Sequence, residues 1–176
     1  MDDAFAILGL ERRFDLTPSE VSAAHLRAVA RMHPDRAADP VERDRLVRAS
    51  AAAGAAKQRL MDESSRAEEL LEFLGARSLL GAPLPPSFLM ETMALREEIE
   101  TVAAAPDDGR RASLASRIDS MLREERSVLL RAFGVALPGG AIATGPIAVE
   151  ETRQAAAALV RLRYLLRMAS SLAADP

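Results

Sequence analysis

Residues 31–40 read RMHPDRAADP, and their two prolines decide how the first half of the chain folds. Pro34 has no N–H to give a helical ladder and disfavours helical backbone at His33, so a preceding helix stops near Met32. That helix has a clear start in Thr17-Pro18-Ser19-Glu20: a hydroxyl at the cap, proline at the first helical position, glutamate at the third. Asp39-Pro40 repeats the signal, so a further helix runs from Pro40 to about Met61. A bend of only seven residues, 33–39, joins the two and makes them antiparallel neighbours.

Working outward, Phe5, Ile7, Leu8 and Leu10 support a short first helix ended near Gly9, and residues 66–74 continue helically to Gly75. Residues 76–86 contain Gly81, Pro83, Pro85 and Pro86, which no helix interior accommodates, so they form a linker. Helices are expected over 86–105, stopped by Pro106, over 107–133, and over 149–173 after the loop GVALPGGAIATGPIA. Period-two alternation is missing throughout, so the pattern predicts an all-α protein. Its domains are 1–75, a helical hairpin with the bend at its tip, and 87–176, a three-helix bundle.

Composition agrees. Of 176 residues 49% are hydrophobic, mostly alanine and leucine, and only 3% are aromatic, so close helix contacts must supply the core. Cysteine is absent, which excludes disulfides, thiolate nucleophiles and thiolate-bound metals. The N-terminus opens with acids and too short an apolar run for a signal peptide, and no stretch reaches about 18 apolar residues. A soluble, cytoplasmic chain away from membranes is expected. The net charge of −3 makes no global case for nucleic acid, yet residues 25–59 hold eight basic against four acidic side chains. Without interleaved aromatics or glycine-rich loops, that patch suits an acidic protein partner better than nucleic acid.

A histidine beside an aspartate suggests acid–base chemistry, but catalysis also needs a pocket and a group to orient the base. The bend offers neither, and no Ser, Cys or second His is near to act as nucleophile or ligand. No enzymatic activity, metal or cofactor is expected of this chain. Two readings remain open: a helix stop with solvated neighbours, or a rigid polar tip presented to a partner beside a positive field.

The helix over 86–105 poses a second question. At 100 degrees per residue, Phe88, Leu95, Ile99 and Val102 fall within a single arc of about 80 degrees, an ordinary core stripe. Leu89, Met90 and Met93 fall roughly 100 to 200 degrees from Phe88, giving a second apolar face flanked by Glu97 and Glu100. That face packs on a neighbouring helix or docks a partner; methionines with an acidic rim suit an adaptable contact.

These features resemble a J-domain over roughly residues 3–75: the Leu8-Gly9 stop, the TPSE helix start, the loop His33-Pro34-Asp35, the following Arg36 and the helix from Pro40. The resemblance implies that His33, Pro34, Asp35, Arg27, Arg31 and Arg36 contact a DnaK-type chaperone and stimulate its ATPase, with Asp35 pairing to a chaperone arginine. Many J-domains carry a denser basic run than Arg27 and Arg31, and commonly aromatics where His25 and Met32 stand.

Phe88-Leu89-Met90-Glu91 with Leu95-Arg96-Glu97-Glu98, and Arg66-Ala67-Glu68 with Leu70-Leu71, are similar to motifs of the HscB co-chaperones of iron–sulfur cluster assembly. That resemblance spans nearly the whole chain. It implies an L-shaped molecule whose J-domain engages an HscA- or DnaK-type ATPase and whose bundle binds an IscU-type scaffold through Leu89, Met90, Met93, Glu97 and Tyr164. ATP and the cluster would belong to the partners. Ala94 and Thr101 stand where well-known members have acids, and the cysteine-rich metal-binding extension of some members has no counterpart. Rival readings are a J-domain protein serving another client, and a helical interaction protein without a chaperone role.

Overall fold

The computed structural model describes residues 3–33, 37–105 and 107–174. All regular structure in them is helical. Helix α1 (Ala4–Leu8) is capped by Asp3, whose carboxylate accepts from the Phe5 N–H at 2.9 Å, and closes on Gly9 in the left-handed conformation at φ 66°. Helix α2 (Pro18–Arg31) begins with the expected reciprocal capping box. The Glu20 N–H donates to Thr17 Oγ1 at 3.3 Å, and the Thr17 N–H donates to Glu20 Oε2 at 2.8 Å. Helix α3 (Pro40–Met61) is capped by Asp39, which accepts from the Glu42 N–H at 2.8 Å. Ala24 and Ala28 of α2, with Ala53 and Ala56 of α3, are fully buried. Small residues thus let the helices of the hairpin approach closely, which answers the scarcity of aromatics.

Helix α4 spans Glu63–Phe73 and starts three residues before the expected 66. Asp62 explains the difference: its N–H closes the last turn of α3 on Gln58, while its carboxylate accepts from the Ser65 N–H at 2.7 Å. Residues 76–86 include a 3-10 turn, Arg77–Gly81, packed against the last helix. Helices α5 (Pro86–Ala104), α6 (Asp108–Ala136) and α7 (Pro146–Ala174) follow, with a second 3-10 turn at Pro138–Gly140. The expected 107–133 helix continues to Ala136, and the last helix starts at Pro146 rather than 149, its first turn closed by Val149 N–H to Gly145 O at 3.2 Å. The α6–α7 pair is the spine, with α5 laid along it.

One apolar core runs through both halves, from Phe5 and Leu8 through Leu60, Leu70 and Leu71 to Leu129, Phe133, Leu159 and Leu162. Three contacts tie the halves together. Phe14, in the segment between α1 and α2, meets Phe133 of α6 with ring centroids 5.9 Å apart. Within the first half, the buried Arg66 of α4 lies 5.4 Å over the same Phe14 ring and donates to Leu60 O at 2.6 Å. Arg126 of α6 grips Glu63 of α4 through two bonds of 2.7 Å, and Arg163 of α7 pairs with Glu68. Gly140 sits at φ 78°, and a Cβ there would lie 3.1 Å from Glu11 Cγ and 3.3 Å from Arg12 N. Glycine at this positive φ therefore lets the turn after α6 lie close against the segment after α1.

Candidate functional site

Two solvent-facing surfaces carry the residues singled out in the sequence. On α2, Val21, Ala24 and Ala28 face the core. Ala23, Leu26, Arg27, Ala30 and Arg31 are exposed, and their spacing of three and one places them on a single face. Arg27 and Arg31 have no carboxylate partner among the described residues, whereas Arg45 and Arg48 on α3 pair with Glu42 and Asp44. Arg43 and Lys57 of α3 likewise have no carboxylate partner among the described residues, so the positive field of this region spans both helices of the hairpin. Leu26, 69% exposed, sits within that field. His33 is exposed at the end of the helix, while Pro34, Asp35 and Arg36 lie outside the described residues. His25 and Met32 are half-buried, so they act as packing residues of the hairpin.

The second surface lies between α5 and α7. Phe88, Thr92, Leu95, Ile99 and Val102 are the buried side of α5, which is the core stripe read from the periodicity with Thr92 added. Thr92 can be buried because its hydroxyl donates to Leu89 O at 2.9 Å. The second apolar face is left open: Leu89 is 40% exposed, Met90 72% and Met93 64%. Met90 and Met93 are thus not packed into the fold, and Leu89 is so only in part.

Tyr164 of α7, 37% exposed, stands edge-on to Phe88 at 6.3 Å and 87°. Leu89, Met93 and Tyr164 line one groove of about 590 Å³. Met90 and Glu97 do not line it; they are exposed on the adjoining outer side of α5, one turn to either side of Met93. Ala94 and Thr101 are exposed too, and the Thr101 hydroxyl turns back to Glu97 O at 2.8 Å.

Sequence reasoning did not find the far wall of this groove, formed by Arg167, Met168 and Ser171. Arg167 and Met168 follow Tyr164 by three and four residues, so helical spacing from that tyrosine would have found them. Arg96 and Glu100 also line the groove and pair with each other at 3.0 Å. Among the described residues no group of three or more His, Asp or Glu side chains is placed to hold a metal ion, and no helix is long and apolar enough to cross a membrane.

Residues 84–173 match the family model described as the HSCB C-terminal oligomerisation domain. The "Co-chaperone protein HscB homolog" of Vibrio cholerae is 40% identical over 107 residues, 58% of this chain and 63% of the relative, so that alignment spans less than two thirds of the relative's length. The homolog from Bordetella petrii is 33% identical over 129 residues, 71% of this chain and 72% of that one. Among solved structures, the chaperone HscB from Vibrio cholerae superposes with a TM-score of 0.73 at 27% identity, covering 98% of this chain and 96% of that one. Human co-chaperone HscB has the same fold, with a TM-score of 0.72 at 18% identity over 99% of this chain and 82% of that one. By family model, sequence and fold together, this chain belongs to the HscB family.

Proposed function

We propose that the chain is a non-catalytic co-chaperone of iron–sulfur cluster assembly that binds an IscU-type scaffold and stimulates the ATPase of an HscA- or DnaK-type chaperone. The chaperone contact is made by His33, Pro34, Asp35 and Arg36 together with Arg27 and Arg31. The exposed guanidinium groups of Arg27 and Arg31 on α2 steer an acidic surface onto the helix, and Asp35 pairs with an arginine of the chaperone. The scaffold contact is made by Leu89, Met90, Met93, Glu97 and Tyr164. Release of bound water from exposed methionine and leucine supplies the affinity there, and flexible thioethers adapt to the client. Because one chain holds both contacts, scaffold is delivered at high local concentration to the chaperone, which hydrolyses its own ATP and promotes cluster transfer.

The observation that carries this reading is the open Leu89, Met93 and Tyr164 groove on a protein of this family, apart from the basic face of α2. A second reading, a different client for the same J-domain, is favoured by Ala94 and Thr101, which thin the acidic rim beside Met93 and Glu97. One assay separates them: ATP hydrolysis by a DnaK-type chaperone, titrated with this protein, with and without scaffold. His33→Gln or Asp35→Asn should abolish stimulation and leave scaffold binding intact. Leu89→Ala with Met93→Ala should keep basal stimulation and remove the extra stimulation that scaffold brings. Stimulation indifferent to scaffold in the wild type would establish the other client, and wild-type stimulation by Asp35→Asn would refute the chaperone contact.

A further inference from the structure

Arg167 is the odd arginine of α7. Arg153 pairs with Glu150, Arg161 with Glu125 through two bonds of 2.7 and 2.9 Å, and Arg163 with Glu68. Arg167 has no carboxylate partner among the described residues. Its guanidinium instead stacks over the Tyr164 ring, 4.6 Å from the centroid, and its Nε donates to Arg163 O at 3.3 Å. Tyr164 is in turn braced edge-on by Phe88. An exposed arginine ordinarily samples many rotamers; this one is held on an aromatic face with its remaining N–H groups unspent. Of the three charged side chains lining the groove, Arg96 and Glu100 satisfy each other. The charge the groove offers an incoming segment is therefore the single positive one of Arg167.

We infer that Arg167 is a specificity-determining residue of the α5–α7 groove, where it receives a carboxylate from the scaffold segment whose apolar side chains fill the space between Leu89, Met93 and Tyr164. The inference rests on the docking reading of that groove and adds an orientation to it. An acidic residue of the scaffold faces α7, while a basic one faces Glu97 on the outer side of α5, so a segment entering in the reverse sense meets like charge at both ends. Pre-stacking on Tyr164 reduces the entropy cost of ordering the guanidinium, and the apolar wall around it strengthens the ion pair once water is excluded.

The test is calorimetric titration of the full chain with the IscU-type scaffold protein at low and high salt, for wild type, Arg167→Met, Arg167→Lys, and Leu89→Ala with Met93→Ala. Arg167→Met keeps bulk that can lie on Tyr164 and removes the charge together with the guanidinium N–H donors. It should bind about tenfold more weakly and with a flatter salt dependence, whereas Arg167→Lys should stay within roughly threefold of wild type. Thermal unfolding of Arg167→Met should match wild type, since Arg167 is exposed. Wild-type binding by Arg167→Met, with weakened binding by the Leu89 and Met93 double variant, would overturn the inference and leave the docking reading standing. Equal loss in Arg167→Met and Arg167→Lys would overturn it as well, because the effect would then be one of shape. Unimpaired binding by every variant, or no binding by wild type, would overturn the docking reading and this inference with it.

Discussion

The Glu20 carboxyl shows how much one residue can report about the helix it begins. The Thr17 hydroxyl, then the Thr17 backbone N–H, then Arg13 hold it below the usual glutamate range. A carboxyl depressed on folding contributes stability above its unfolded pKa and loses it as pH falls through the folded value. Thr17→Ala should therefore move the Glu20 titration, followed by carbon-detected NMR, upward toward the ordinary range and flatten the acid limb of the stability curve. It should also cost about 1 kcal/mol at neutral pH from the lost cap. An unmoved titration would assign the depression to the backbone N–H and Arg13. Arg66 is pulled the other way: burial lowers its pKa, and the nearby carboxylates of Glu63, Asp62 and Asp15 partly oppose that. Stacked on Phe14 and bonded to Leu60 O, it remains a charged group inside the joint between the halves.

At the scale of elements, Asp62 does double service, ending α3 and capping α4. Asp62→Ala should lower stability by about 1 kcal/mol, read as a shifted urea midpoint with an unchanged slope. A neutral result would mean that packing alone sets the α3–α4 corner. The same residue marks a limit of reading from sequence. Starts written in adjacent residues, such as Thr17 to Glu20 and Asp39-Pro40, were legible because a cap and its N–H partner lie within one turn, and Pro86 was legible as a proline at the first helical position. The end of α3 at Met61 was legible, but Asp62 has no proline after it, so the start of α4 reads as residue 66 rather than 63. The two faces of α5 were legible from period alone, but the period left open whether the second one packs in the fold or faces solvent. The far groove wall at Arg167 and Met168 was legible only through Tyr164, one turn before them, because nothing else in the sequence says which side of α7 turns toward α5.

At the scale of the molecule, what escaped the sequence is the joint. The contacts of Phe14 with Phe133, Arg66 with Phe14, Arg126 with Glu63, and Gly140 beside Arg12 unite residues far apart in the chain, and no local pattern announces them. Residues 76–86 read as a spacer because of their prolines, yet the turn Arg77–Gly81 rests on α7. Phe133→Ala removes a ring that is 2% exposed and should cost about 3–5 kcal/mol. Far-ultraviolet circular dichroism and hydrogen exchange in α1 to α4 should register the loss as strongly as exchange in α6. Destabilisation confined to α6 would show that the halves unfold independently.

The close approach at Gly140 carries this further. A pair of modules on a leash explores many separations, and its reach follows from the leash. Here the turn after α6 is pressed against backbone near α1, a few residues before Phe14 meets Phe133, so the chain behaves as a bracket. The angle at which it would present one bound protein to another is written into that joint. A methyl group at position 140 would crowd Glu11 and Arg12 and so press on the joint itself.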